Sequence, residues 1–319
     1  MNKSFQNKLG LNKNILSKYG IYIAFFFIML ILSLLTDKFF TVSNIINILR
    51  QVSINGILAV GMTFVIITGG IDLSVGSVLA LSGILAAKVS VTDANSLPLI
   101  FSFVIGLGIS MGTGTVSGIM ITKGKVAPFI ATLTMMTIAR GAGLVISNGR
   151  PVVKLTTAYR QIGGGYIFGR FPVPVLLFIL TVLIAFFVLR YLKFGRQIYA
   201  VGDNEQAARA SGLKTDFIKI RVYAISGMMA GLAGMILSSR VNAASPISGK
   251  GAELDAIAAV VIGGTSLSGG VGSVIGTVIG ALIIGIISNG LDILNVSAYY
   301  QQIIKGLIIA IAVLIDRKG

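Results

Sequence analysis

The sequence predicts an all-α fold, a polytopic membrane helical bundle of about ten transmembrane helices with broken helices among them. Three observations predict it. Apolar residues gather into segments long enough to cross hydrocarbon, which takes an α-helix roughly 20 residues. The chain is 55% hydrophobic and only 11% charged, with a mean hydropathy of +0.94, whereas soluble domains carry roughly 25% charged residues. Glycine recurs at four-residue spacing inside the apolar segments, at Gly108 and Gly112, Gly114 and Gly118, Gly227 and Gly231, and Gly272, Gly276 and Gly280. That spacing lets helix backbones approach closely where lipid gives no hydrophobic drive for association.

The elements follow in order. Residues 1–18 form a basic segment with Lys3, Lys8, Lys13 and Lys18. The span after it, 19–36, is too long and bulky for a signal core and lacks a small-residue cleavage site. From residue 19 to 319 the chain reads as one transmembrane domain. The loop Asp37–Arg50 offers Phe39, Phe40, Ile45, Ile46 and Leu49 as the apolar face of an interfacial helix. Further spans centre on 53–70, 74–91, 97–121, 128–147, 172–191, 219–239, 254–264, 273–290 and 298–315. Segment 254–264 is too short to cross alone and opens into Gly263-Gly264-Thr265-Ser266-Leu267-Ser268-Gly269-Gly270. It reads as part of a broken helix buried against protein, because irregular backbone facing lipid leaves its polar groups unsatisfied. No tandem repeat is evident, although this composition is compatible with an inverted one.

Ten spans put both termini on one side, and basic residues choose that side. With the N-terminus inside, the inner segments hold the four lysines above, Lys123, Lys125, Arg190, Lys193, Arg196, Arg209, Lys214, Lys219, Arg221, Arg317 and Lys318. The outer segments hold fewer, several of them between Gly149 and Pro172. The net charge of +16 therefore reflects loops between spans, and no basic soluble domain exists to bind nucleic acid.

The densest basic loop, about residues 192–218, contains a short polar helix over Gly202–Gly212. Asp203 is placed to cap its free N–H groups, with Gln206 reaching back and Gly212 ending it in a left-handed conformation. Taken alone it also reads as a solvated surface helix. In a membrane protein it is a handle for something in the cytosol.

Much chemistry is missing. There is no His, Cys or Trp, so no thiolate metal site or disulfide framework and no imidazole base. No G-x-x-x-x-G-K-[ST] phosphate cradle appears. No carboxylate pair, metal-ligand cluster or nucleophile–base spacing stands out. No catalytic residue, metal or cofactor is assigned to this chain. Work against a gradient then needs ATP handled by another chain, or an ion.

Ionisable groups inside spans are expensive and few. Asp72, in Gly70-Ile71-Asp72-Leu73-Ser74, reads as a cap on the third span assisted by Ser74, or as a polar gate near the inner mouth. Lys305 snorkels or pairs within the bundle, and Arg140 anchors at the interface. Glu253 and Asp255 open the broken span as acids favoured by the helix dipole, or as an outer contact. Asn55, Thr63, Thr68, Ser77, Ser82, Thr132, Thr134 and Asn289 supply neutral hydrogen-bonding groups. Most such residues bond neighbouring helices. A path lined with the remainder suits an uncharged hydroxylated solute that must be released again.

Several of these segments resemble the permease subunit of ribose-type ABC importers. They are Ala59-Val60-Gly61-Met62-Thr63 with Gly70–Ser77, Phe129-Ile130-Ala131-Thr132-Leu133, the stretch Glu253–Leu267 with Gly263, Gly264 and Thr265, and Ser297-Ala298-Tyr299-Tyr300-Gln301. The resemblance runs from about residue 20 to the end. It implies a homodimeric permease in the bacterial cytoplasmic membrane, ten spans per copy, a central pathway, a cytoplasmic ATPase that binds ATP and Mg, and an extracytoplasmic sugar-binding protein. Membrane lipid is the remaining partner. It also makes the polar helix a coupling helix, with Asp203, Asn204, Glu205, Gln206, Ala207, Ala208, Arg209, Ser211 and Gly212 facing the ATPase. Ala207, Ala208 and Gly212 match the importer loop pattern. Gln206 stands where an acid is usual, with Glu205 one position earlier, and the hydrophobic-plus-proline ending is absent. The expected function is ATP-driven sugar uptake by alternating access, for ribose, with Asn55, Thr63, Thr68, Asp72, Ser74 and Asn289 on the path or gate. The rival reading is an ion-coupled secondary transporter, which broken helices would also suit.

Overall fold

The computed structural model describes residues 13–92 and 96–316. Lys3, Lys8, Arg317, Lys318 and most of the basic N-terminal segment lie outside the described residues. A helix falls on each of the ten apolar segments. In chain order they are α1 (Lys13–Leu35), α2 (Val42–Ile67), α3 (Val75–Lys88), α4 (Leu99–Thr122) and α5 (Pro128–Ser147). A short α6 (Thr157–Gly164) and a hairpin of β1 (Tyr166–Ile167) with β2 (Phe171–Pro172) follow. Then come α7 (Val173–Tyr191), α8 (Lys193–Asp203), α9 (Glu205–Ala210), α10 (Thr215–Arg240), α11 (Ala252–Ile262), α12 (Val274–Ile293) and α13 (Ala298–Asp316). Six of these, α2, α4, α5, α7, α10 and α12, are long and apolar enough to cross a membrane.

Local chemistry sets the ends. Thr41 caps α2 by accepting the Asn44 amide at 3.4 Å. No Gly or Pro interrupts the sequence from there to Gly56, so the helix runs on unbroken. The predicted interfacial helix in Asp37–Arg50 is therefore corrected: its second half is the first turns of α2. Pro128 opens α5, where its missing N–H is harmless, and Asn148 ends it at φ 51°.

Helices α2 and α10 form the centre. The second half of α2 is buried on every side, and α10 packs on α2, α3, α4 and α6. Peripheral α7 presents exposed Leu183 and Ile184, as a lipid-facing surface requires. Glycine makes the close approaches, but only some of the spaced pairs take part. A Cβ on Gly114 or Gly227 would enter the facing backbone at Tyr223 and Ser110, and one on Gly118 would lie 2.8 Å from the Ile220 Cα. Gly276 and Gly280 likewise press on Gly263 and Ala259. Gly108 and Gly112 meet no atom within 4 Å. That pair faces away from the core and seats no helix.

Two helix pairs are interrupted, and they run in opposite senses. After α2 ends, residues 68–74 turn back into the bundle, and α3 begins beside Ser226, near the middle of α10. After α10 ends, residues 241–251 return in the same way, and α11 begins beside the start of α3. A Cβ on Gly249 would lie 2.6 Å from the Gly76 carbonyl oxygen. From this meeting point α3 runs toward the Ile146 end of α5, which Lys88 Nζ reaches at 2.8 Å. Helix α11 runs toward the opposite end, where α2 stops.

Replacing Gly114 by Leu should overpack the α4–α10 seam and destabilise the protein by about 1–3 kcal/mol. Gly108→Leu, on the same helix but in open space, should leave the melting temperature of the detergent-solubilised protein nearly unchanged.

Candidate coupling and translocation site

The polar helix predicted in the basic loop is α9, and its capping differs by one residue. Asp203 is the last residue of α8. Asn204, extended at φ −155°, is the cap and accepts the Ala207 amide at 2.9 Å. Gln206 is exposed and does not reach back. At the far end the amide of Gly212, at φ +83°, donates to the Arg209 carbonyl at 3.0 Å, and that of Leu213 donates to Ala208 at 3.1 Å. The paired bonds are a Schellman stop. Only Ala208 of α9 is buried, which leaves Gln206, Ala207, Ala210, Ser211 and Gly212 as a free face.

An ion network holds that face in place. Glu205 accepts from Arg209 at 3.3 Å, one turn on, and from Lys219 of α10. Arg209 also donates to Asp216 and to Thr215, each at 2.8 Å, and Lys123 at the end of α4 reaches Asp216 at 3.0 Å. Partial burial by itself would raise the Glu205 pKa, but the bonds and charges of Lys219 and Arg209 outweigh it and hold the carboxyl below its ordinary range.

The α8–α9 block is bolted to the bundle by backbone. A Cβ on Gly202 would run into the Ile67 carbonyl oxygen at the end of α2 and lie 2.6 Å from the Gly270 amide. The Gly270 amide donates to that same Ile67 carbonyl at 2.9 Å. Tyr199 Oη donates to the Gly272 carbonyl at 2.8 Å. The block therefore touches both the end of α2 and the 263–273 turn that follows α11. Sequence reading missed Tyr199 and Gly202 as contacts. The available signal was the spacing of Gly195, Ile198 and Val201, which puts one face of α8 inward.

The predicted path and gate residues separate sharply. Asp72 is buried, and it lies level with the middle of α10 rather than at a mouth. Its carboxyl accepts from the Ser74 amide at 3.0 Å, the Ser74 hydroxyl at 2.6 Å and the Ser226 hydroxyl at 2.7 Å. Thr63 donates to Ala59 and shares a 2.7 Å hydrogen bond with Thr277 of α12. Thr68 donates to the Val65 carbonyl of its own helix. Asn289 exchanges two amide hydrogen bonds with Asn44, at 2.9 and 3.0 Å. These groups knit helices together. Asn55 is different, half-buried with no hydrogen-bond partner among the described residues.

The broken-helix motif is where the sequence put it. Helix α11 ends at Gly263 and at Gly264 with φ +83°, and Thr265 is buried with its hydroxyl unpartnered among the described residues. Glu253 accepts the Gly251 amide at 3.2 Å, and Asp255 pairs with Lys305 at 2.8 Å. Arg140 is not a simple interfacial anchor: it donates to the Pro246 and Ser248 carbonyls at 2.5 and 2.8 Å and pins the returning 241–251 segment. At the end of the bundle opposite α9, a cavity of about 720 Å3 is lined by Lys38, Asn44, Asn47, Arg50 and Tyr166, among others. Arg50 stacks over the Tyr166 ring at 4.7 Å. Among the described residues no three acids come together to hold a metal ion.

Two short helices that meet within the bundle, a short polar helix seated on backbone and a polar cavity at the far end make up the candidate site. The family model for the permease component of branched-chain amino acid transport systems matches residues 44–313. The chain belongs to this permease family. The ribose import permease protein RbsC of Bacillus subtilis (strain 168) is 48% identical over 95% of this chain and 94% of its own length. The same-named protein of Escherichia coli (strain K12) is 47% identical over 93% and 92%. The D-allose transport system permease protein AlsC of Escherichia coli (strain K12) is 38% identical over 94% and 91%. No solved structure matches the chain. Membership and the six apolar helices make it a multi-pass membrane permease.

Three outcomes follow from this geometry. Gly202→Val should drive α8 off the end of α2 and, if the α8–α9 block couples to the path, lower transport far more than assembly; purification yield and uptake measured side by side check it. Asp72→Ala strands the Ser74 amide and the Ser226 hydroxyl and should destabilise by about 1–3 kcal/mol, read as a fall in melting temperature. The Glu205 contact has a folded pKa below the ordinary value of 4.5. Its stabilisation is present above that value and lost as pH falls through the depressed one. Melting temperature followed against pH should show this loss, and Glu205→Gln should flatten it.

Proposed function

We propose that this chain is the membrane permease of an ATP-driven, binding-protein-dependent sugar importer, with ribose as its solute. The carrying observation is the near-half identity to proteins named as ribose permeases across more than nine-tenths of both chains, well above that to the allose protein. The fold class is completed by ten spans and a second copy of the chain. Both termini lie in the cytoplasm of a bacterium, so α8 and α9 face inward and the 720 Å3 cavity faces outward. The positive-inside bias of the loops supports this sense.

A cytoplasmic ABC ATPase binds ATP and Mg and receives the free face of α9. Closure of the ATPase moves α9, and the backbone contacts of Gly202 carry that movement to Ile67 and to the turn after α11. Alternating access follows because ATP and the loaded sugar-binding protein each bind one state better than the other. This chain hydrolyses nothing. The ion-coupled alternative has no specific observation in its favour, since Asp72 and Asp255 are both engaged by neighbours.

In liposomes holding permease, ATPase and binding protein, ribose should stimulate ATP hydrolysis and accumulate only with ATP. Reversing charge at both Glu205 and Arg209 should weaken that stimulation by about tenfold, while the permease still inserts. Retention of full coupling would reject the role given to α9.

A further inference from the structure

We propose that the side-chain amides of Asn47, Gln51 and Asn55 form a sugar-binding track along the outer half of the translocation path. The inference rests on the sugar-permease reading and names the groups that would handle the solute. The three positions are four residues apart and stack on one face of α2. Eight residues of helix advance about 12 Å. Asn47 lines the outer cavity, and Asn55 lies at the midpoint of the 26-residue helix. Asn47 is exposed, Gln51 and Asn55 are half-buried, and every residue from Gly56 to Thr68 is buried. The polar line is open at one end and closed at the other.

Most other polar side chains along α2 have partners, although the buried Arg50 Nε has none among the described residues. Asn44 pairs with Asn289, Ser53 with the Leu49 carbonyl and Thr63 with Thr277. Asn47 accepts from Arg240 at 2.5 Å. Gln51 and Asn55 have no partner among the described residues. Leaving an amide against hydrocarbon costs roughly 2–7 kcal/mol, and two on one helical face double that. Water or a polar solute reaching this face removes the penalty. An amide both donates and accepts, as a sugar hydroxyl does. Among the described residues the charged lining of the cavity is Lys38 and Arg50 with no carboxylate, which deters cations. Each amide binds weakly enough for the solute to move on.

The chain has no cysteine, so single cysteines report without a background. The test uses the assembled permease, ATPase and binding protein in liposomes, with a membrane-impermeant methanethiosulfonate outside. Asn47→Cys and Gln51→Cys should react about tenfold faster than Ile184→Cys on the lipid face of α7, and ribose-loaded binding protein should slow them. Asn55→Leu should lower ribose uptake about tenfold while binding-protein-stimulated ATP hydrolysis persists. Cysteines at 51 and 55 that stay unreactive, or that form disulfides with the same residue of a second copy, would put the amides in a subunit contact and overturn the track. Undiminished uptake by Asn55→Leu would overturn it too. Ribose accumulation by this chain alone would sink the importer reading, whereas the labelling pattern decides the track in either case.

Discussion

Hydrocarbon offers no hydrogen bonds, so a helix that stops inside a membrane must find its partners in protein. The whole arrangement depends on meeting that demand twice. Where α2 turns back, Asp72 takes the Ser74 amide and the Ser226 hydroxyl, and Thr132 donates to the Ile71 carbonyl at 3.3 Å. Where α10 turns back, Arg140 satisfies two carbonyls of the returning segment. Both repairs use polar side chains on continuous helices, α5 and α10. Helix α10 comes close to α3 and α4 only where glycines leave out the Cβ atom, as at Gly234, Gly114, Gly118 and Gly227. Polar residues and glycines in this chain are thus two halves of one solution.

The same device recurs at the basic end with a different consequence. Contact between Gly202, Ile67 and Gly270 is backbone on backbone. Long side chains bend, and a push delivered through them is partly absorbed in rotamer changes. A push through peptide groups in contact is not, because packed interiors transmit strain. The ion network among Glu205, Arg209, Asp216, Lys219 and Lys123 serves the other requirement. It keeps a six-residue helix, far too short to persist alone, at a fixed angle to α10. Exposed ion pairs contribute little singly, but here the stiff element is the seat and the charges only set its orientation.

The positions of the apolar helices were legible in the sequence, but not all of their lengths: six are long and apolar enough to cross a membrane, whereas α3, expected as a full span over 74–91, is a 14-residue helix that starts beside the middle of α10. Each apolar segment became a helix, and the Gly263–Gly264 break fell where the short eighth segment demanded one. Boundaries were less legible. Asp37–Arg50 carries an amphipathic pattern that fits an interfacial helix, yet Thr41 supplies a cap and nothing breaks the chain before Gly56, so α2 absorbs it. Asp203 and Asn204 are both good caps. The choice between them depended on how far α8 extends, which is set by Ile198 and Val201 packing below it and not by local propensity. Gly108 and Gly114 look alike in sequence, and only the position of α10 makes one a seat and the other a surface.

Polar residues inside the spans were the hardest to sort, for a physical reason. Thr63, Asn289 and Asn55 can all both donate and accept, and what separates them is whether a second helix arrives with a complementary group. Thr277 and Asn44 do arrive for the first two. That outcome depends on helix rotation and tilt, which periodicity does not encode. It also explains why a conduit of this kind can have so little conspicuous chemistry. A site that grips its solute would hold it, so a path works best with a few shallow amide contacts. In the proposed importer, direction then comes from outside the path, as a difference in affinity of other components for its two states. Such a difference does useful work only if it reaches the path without loss. In the proposed importer, a stiff, glycine-seated lever and a weakly polar path are therefore complementary requirements.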